Sequence, residues 1–320
     1  LSEGRNAGNK AQYTRRERIV TDLAVLYEHP KWFEPLFSVL SARGIDFQAL
    51  KPDGDFDPQV PAPPAKLIFN RIAMSSFLRD AEHPIFWAQS LFAQWELAGA
   101  RVLNGTSALA YDTSKARQLA LIASLGLGAP KTRVVRRAAD LEAAAESIGY
   151  PLLVKANIGG AGAGISRFDS RDELRAAKED GLLPTSVDSV LLVQEYIPAR
   201  DGAITRIETL DREYLYAIRV EGAGAFDLCP ADACQIPGQP IPMTAVDLGP
   251  ELRDAAEAIA RGANLDVGGV EVMIDDRDGS ARFYDINGLS NFVANPLGVL
   301  GWDPHERLVD KIVTWLEEVR

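Results

Sequence analysis

Glu271, Asp285 and Asn287 are spaced to build a site for a hard cation. They lie in Val267–Asn291, VGGVEVMIDDRDGSARFYDINGLSN. Val270–Ile274 and Arg282–Asn287 are rich in strand formers, and Asp276-Arg277-Asp278-Gly279-Ser280 between them is turn chemistry. A five-residue loop sets Glu271 opposite Asp285, with Asn287 two residues on and on the same face. The opposite face is then Val270, Val272, Ile274, Tyr284 and Ile286, and it packs on something. Met273 and Phe283 share the acid face and partly cover it. Carboxylates facing each other across a strand pair repel, and Mg²⁺ would relieve that repulsion. The plainer alternative is a polar outer face with scattered acids.

A second group suits phosphate. Gly159, Gly160, Gly162 and Gly164, interrupted by Ala161, follow Lys155 in PLLVKANIGGAGAGI. Glycines let backbone N–H groups approach phosphate oxygens, and the lysine supplies the countercharge. A P-loop and a Rossmann fingerprint both lead into a helix. Here the glycines lead into the strand ISRF, which describes a β-hairpin flap, or a flexible hairpin with no ligand. Val193-Gln194-Glu195-Tyr196-Ile197 ends a strand whose backbone could read adenine, with Glu195 accepting from the exocyclic amine; the alternative is an ordinary strand end. Arg71 and Asn104 end strands of a parallel α/β segment, where ligands gather. They are candidate substrate contacts or plain loop-edge structure.

The elements that position these residues read in order. Residues Leu1–Arg18 form a polar, basic tail. Strands at Asp22–Tyr27, Ile45–Leu50, Lys66–Ile72 and Arg101–Leu103 alternate with helices at Lys31–Ala42 and Pro84–Ala98, which indicates a parallel sheet. A helix over Thr113–Leu125 carries Lys115. Strands and helices from Ala129 to Ile197 form a small α+β unit. Strands at Ala203–Leu210 and Tyr214–Val220 join the acidic hairpin. A Gly/Pro-rich connection, Gly222–Pro242, separates them from a helix at Pro250–Ala263. Pro304–Val319 is an amphipathic helix docked by Leu308, Ile312, Trp315 and Leu316.

The 320 residues carry a net charge of −11, which argues against a nucleic-acid or anionic-membrane partner. Cys229 and Cys234 are the only cysteines, which excludes a disulfide framework and suits a reducing cytoplasm. No run approaches membrane-spanning length, and no signal peptide is visible. Three scattered histidines, and no Ser/His/Asp or Cys/His set, argue against nucleophilic catalysis.

In this order, Lys115 in NGTSALAYDTSK, Lys155 and its glycines, the hinge VQEYI, Arg206 in ITRIE, Arg219 in YAIRV, and Glu271, Asp285 and Asn287 resemble the ATP-grasp superfamily. The resemblance is nearest to its RimK-like carboxylate–amine ligases and runs from about Val102 to the C-terminus. It implies an α/β (α+β) ATP-grasp fold. After a tail over 1–18 come an N-terminal parallel α/β domain over 19–106, a small subdomain with the glycine flap over 107–197, and a metal-binding subdomain over 198–320. The two subdomains clamp the nucleotide.

The resemblance also implies roles. Lys115 and Lys155 hold the α/β phosphates. Gln194, Glu195 and Ile197, with the intervening Tyr196, bind adenine. Glu271, Asp285 and Asn287 bind one Mg²⁺ or two, with Mn²⁺ as a substitute. Arg219, together with Arg206, neutralises the γ-phosphoryl group. The sequence departs from the pattern in three places: Asp285 stands where Glu is usual, the flap lacks a serine, and Ile204 replaces the acid that holds the ribose, leaving Asp201 or Glu208 to substitute. The implied reaction joins a small-molecule carboxylate to an amine through an acylphosphate, releasing ADP and phosphate. The acid and amine pockets are expected from the N-terminal domain edge, the 222–242 connection, and Ser290 and Asn291. A homodimer through the N-terminal region is compatible with it. The rivals are a kinase with a hydroxyl acceptor, a non-catalytic ATP-binding module and, less well supported, a nicotinamide dehydrogenase.

Overall fold

Strand β1 (Leu23–Tyr27) buries neighbouring residues on opposite faces, so the sheet it starts must be covered on both sides. The structure, a computed structural model, describes residues 21–160, 164–222 and 241–319. The expected tail, Ala161 and Gly162 of the flap, and Cys229 and Cys234 lie outside the described residues. Helix α1 (Glu34–Ala42) leads to β2 (Gln48–Leu50) and β3 (Leu67–Arg71); α2 (Ile85–Leu97) precedes β4 (Arg101–Leu103). The four strands form a parallel sheet in the order β2-β1-β3-β4. Ala24, Leu26 and Ile68 pack with Ile85, Phe92 and Trp95 of α2. Leu23, Val25, Leu67 and Phe69 face the other way, into a core shared with α1.

Helices α3 (Thr106–Asp112) and α4 (Lys115–Ser124) follow, where the sequence suggested one helix from Thr113. The break falls at Ser114, whose hydroxyl accepts from the Arg117 N–H and starts α4 anew. A second sheet holds β5 (Thr132–Val135), β6 (Leu152–Ala156), β7 (Ile165–Phe168) and β8 (Leu191–Glu195) in the antiparallel order β5-β8-β6-β7. Helices α5 (Leu141–Ile148) and α6 (Arg171–Glu179) cover one face through Leu141, Ala145 and Leu174, which meet Leu152, Val154 and Val193. Alternation turns Lys155 to the uncovered face.

The third sheet is β9 (Ala203–Leu210), β10 (Glu213–Glu221), β11 (Met243–Ala245), β12 (Val267–Ile274) and β13 (Ala281–Asn287), antiparallel in the order β11-β10-β9-β12-β13. Helix α7 (Pro250–Gly262) and helices α3 and α4 pack on one face, through Ala256, Ile259, Ala108 and Ile122 against Ile207, Val270 and Ile286. Helix α4 also finishes the β13 edge: Gln118 donates to Ile286 O at 2.7 Å and accepts from Ile286 N at 3.1 Å. Past the short α8 (Pro296–Val299), helix α9 (Pro304–Glu318) inserts Leu308, Ile312, Trp315 and Leu316 into the core of the first sheet, as its apolar stripe requires.

Asn104 joins the first sheet to the third. At φ +50° it holds the left-handed conformation that asparagine tolerates. Its Oδ1 accepts from the N–H groups of Asp266 and Val267, and its Nδ2 donates to Val267 O and Gly288 O. Every hydrogen-bonding position of the amide goes to backbone, so the residue is a structural joint and not the substrate contact its strand-end position allowed. Asn104→Ala should cost about 2–3 kcal/mol by denaturant unfolding, because buried backbone groups lose their partners. A loss below about 0.5 kcal/mol would mean that the joint carries no weight.

Candidate active site

The hairpin of β12 and β13 does set Glu271 opposite Asp285, by a route the sequence did not suggest. Ile274 pairs with Ala281, so residues 275–280 form the connection, one longer than expected. Asp275 opens the connection, its N–H donating to Ser280 O at 2.9 Å; its side chain is fully buried, and Arg277 binds the carboxylate and holds it down to about 2. A bulge between Glu271 and Val272 then restores the register. The bulge also exchanges two aromatic residues. Phe283, expected beside the acids, packs with Val270, Val272 and Ile286 on the helix-covered face. Tyr284, expected there, turns to the acid side and hydrogen-bonds Glu271.

Strand β9 brings a cation to the same face. Arg206 lies opposite Glu271, and Glu208 lies opposite Gly269. Arg206 donates from Nε to Glu208 at 2.6 Å and from Nη1 to Glu271 at 3.1 Å. A side chain on Gly269 would meet the guanidinium at 2.8 Å, so glycine makes room for it. Burial alone would lower the Arg206 pKa, but Glu208 and Glu271 hold it above the ordinary range. Glu271 moves up, first through burial and then through repulsion by Asp285. Asn287 completes the group, its Nδ2 lying 3.3 Å from Glu271. Among the described residues no set of three His, Cys, Asp or Glu side chains could hold a metal. A cation between these acids would have to take its third oxygen from the Asn287 amide. Two acids and an amide oxygen, with repulsion left between the acids, fit a hard divalent cation.

Two lysines reach these acids from different elements. Lys115, at the start of α4, pairs with Asp285. Lys155, buried on β6, lies 5.4 Å from the Tyr284 ring centroid. Burial, aided by Lys115, lowers its pKa to about 8, against the pull of Asp285 and Glu271. Asn157 ties the two lysine-bearing elements together: its Oδ1 accepts from Ala116 N at 2.9 Å, and its Nδ2 donates to Asp188 at 2.6 Å. Asp112 went unnoticed in the sequence. It accepts from Gly288 N at 2.8 Å, and burial raises it to about 6. No spacing signal marks it, because the chain turns between α3 and α4.

The other candidates divide. Gly159 and Gly160 follow β6, and Gly160 packs so closely that a Cβ there would lie 2.8 Å from that of Ser75. Gly164, at φ +72°, accepts from Ala156 N and closes the flap. Gln194 is buried and donates to Thr132. Glu195 does not present a free acceptor for adenine: it takes the Lys131 N–H at 2.7 Å and pairs with Arg277. The Tyr196 ring stacks under Arg167, and Ile197 is buried. Asp201 is exposed, whereas Glu208 is sealed under Arg206. Arg219 is not brought to the acids. It lies opposite Thr205, so alternation puts it on the other face from Arg206, where it pairs with Asp201 and Glu221. Ile218 and Val220 take the acid-side positions. Arg71 contacts Ser290 and Asn291.

A family model described as the RimK-like ATP-grasp domain matches residues 112–292. A probable alpha-L-glutamate ligase 2 of Shewanella frigidimarina is 25% identical over 189 residues, covering 59% of this chain and 60% of that protein. A ribosomal protein bS6–L-glutamate ligase of Shigella boydii is 28% identical over 196 residues, covering 60% and 61%. The chain thus spans about 60% of the length of these relatives. A structure of the ATP-grasp ligase PsnB with a precursor variant, Mg and ADP superposes with a TM-score of 0.66 at 17% identity, over 93% of this chain and 99% of that one. The three-sheet arrangement is therefore the ATP-grasp fold.

Proposed function

The chain belongs to the RimK-like ATP-grasp family, and from that premise we propose that it is an ATP-dependent ligase joining a carboxylate to an amine. The observation that carries this reading is that Lys115, paired with Asp285, and Lys155, 5.4 Å from the Tyr284 ring centroid, come from separate elements to the hairpin that bears the acids. We assign the units as 19–106, 107–197 and 198–320. ATP and the divalent ion belong to this reading, with Mg²⁺ as the ion and Mn²⁺ as a substitute.

Lys115 and Lys155 hold the nucleotide phosphates beneath the flap, whose backbone N–H groups stand in for a hydroxyl. Glu271, Asp285 and Asn287 would hold Mg²⁺, which supplies charge neutralisation at the transferred phosphoryl group. Arg206, fixed by Glu208, places a positive charge beside the acids and stabilises the charge that develops during transfer. A substrate carboxylate oxygen attacks the γ-phosphorus and ADP leaves. The amine then attacks the acyl carbon, phosphate leaves, and the amine gives up a proton.

The test is ATP turnover with acid and amine panels. ADP and phosphate release should require both substrates, and hydroxylamine should trap the activated acid. Formation of AMP, or turnover with no acid dependence, would overturn the reading. A stable phosphorylated hydroxyl product would replace it with a kinase.

A further inference from the structure

Strand β5 is an outer strand of the second sheet and, among the described residues, pairs with β8 alone. The pairing runs from Thr132 and Gln194 to Val135 and Leu191 without a shift of register, and β5 holds no proline. Glu195 N donates to Lys131 O at 2.9 Å, which marks Lys131 and Glu195 as a hydrogen-bonded pair. Alternation then spends the backbone groups of Arg133 and Val135 on β8 and turns those of Thr132 and Val134 outward. An open edge of this kind is a template for another strand.

The side chains alternate as well. Val135 packs into the interior of the second sheet, and Arg133, on the same face, reaches Ser147 of α5 at 3.3 Å. Val134 takes the opposite face and is 53% exposed, although Leu192 beside it on β8 is fully buried. Four of the seven residues over 131–137, KTRVVRR, are basic and exposed, in a chain whose net charge is −11. Arg137 pairs with Asp140, and both of those side chains remain largely in water. Charges commonly guard an edge strand. Charges of one sign guard it against a second copy of itself, because like charges would face one another; an acidic strand meets attraction instead.

We propose that β5 is a docking edge for an extended acidic segment of a partner protein, which adds a fifth strand to the second sheet. Backbone bonds to Thr132 and Val134 supply the affinity. Specificity comes from carboxylates set toward Arg133, Arg136 and Arg137 and a β-branched side chain beside Val134, so the segment alternates acid with apolar. This inference does not depend on the ligase reading.

The test is calorimetric titration of the full chain with a seven-residue peptide, acetylated and amidated, that alternates glutamate with valine. It should bind one-to-one, and more weakly as salt rises. Lysine in place of each glutamate should abolish binding. The same residues in two blocks, glutamates then valines, should bind about 10-fold more weakly, because the charge survives and the alternation does not. Val134→Pro removes an outward N–H and no bond to β8, and should weaken the peptide about 10-fold. Arg133→Glu combined with Arg136→Glu should weaken it at least as much, with an unchanged unfolding midpoint confirming the fold. If the proline variant does not fold, the fully N-methylated peptide removes the same class of bond from the other side and should show the same loss. No binding of the alternating peptide, equal binding of the lysine or block peptide, or binding that survives the substitutions or N-methylation overturns the inference. Self-association that Val134→Pro abolishes also overturns it, and would assign the edge to a second copy of this chain.

Discussion

Replacing Lys155 with Met should sharply weaken nucleotide binding while making the nucleotide-free protein more stable. The ammonium is buried, and its pKa falls from 10.5 to about 8, chiefly through lost hydration. That depression is a penalty on the charged form of about 3 kcal/mol. Below pH 8 the folded and unfolded chains both carry the charge, so the penalty is felt in full. Between pH 8 and 10.5 the folded chain sheds a proton that the unfolded chain keeps, so wild-type stability rises with pH. The gain from Lys155→Met should therefore be greatest at pH 7 and vanish near pH 10.5 in denaturant titrations. Nucleotide phosphates would supply the missing countercharge, so the same substitution should weaken an ATP analogue by about 100-fold or more in calorimetry. Wild-type-like binding by the variant would remove Lys155 from the phosphate site.

Arg206→Met should fail in both stability and turnover. The guanidinium sits between Glu208 at 2.6 Å and Glu271 at 3.1 Å. Without it, buried carboxylates face one another uncompensated, which costs about 3–5 kcal/mol. Glu271, already raised by burial and by Asp285, would then titrate further upward. The loss is full at and above neutral pH and shrinks as acid protonates Glu271, the sign expected of an acid whose folded pKa has been raised. Turnover should drop on the order of 1,000-fold, the lower range for an arginine that stabilises phosphoryl transfer. Arg206→Lys should recover part of the stability and little of the rate, because an ammonium cannot span two carboxylates as a planar fork does. A variant with wild-type stability and rate would refute both roles.

Much of the frame was legible because apolar periodicity reports burial directly. β9 begins and ends at the residues expected, and the four named residues of the last helix are all buried. The facing of Glu271 and Asp285 was also legible, although its cause was not. The expected five-residue loop and an unbroken ladder reach the same pairing as a longer loop with a bulge, so only the flanking aromatics reveal the difference. The longer loop, in which Arg277 binds the buried Asp275, is something no alternation pattern displays. Arg219 shows the opposite failure. A motif placed it by order along the chain, whereas strand alternation decides which face it occupies. Asn104 and Gln118 were hidden for a third reason: their amides serve backbone groups far away in sequence, and residue type does not reveal such a partner.

Helix α9 has a consequence for how the clamp can work. The last helix completes the hydrophobic interior of the first sheet, and Arg43 reinforces it through Glu306 and Asp310. The third sheet contributes Ile204, Tyr216 and Ile218 to that same interior. The two ends of the polypeptide are thereby welded into one chassis. The second sheet keeps an interior of its own, yet it touches the chassis through Leu192 in the third sheet's core, Ile158 in the first sheet's, and the Glu195–Arg277 pair. Any opening that spares the shared interior would carry the second sheet and Lys155 away and break those contacts, while the acids stay with the fixed half. Clipping the last turns from α9 would loosen the chassis rather than the second sheet.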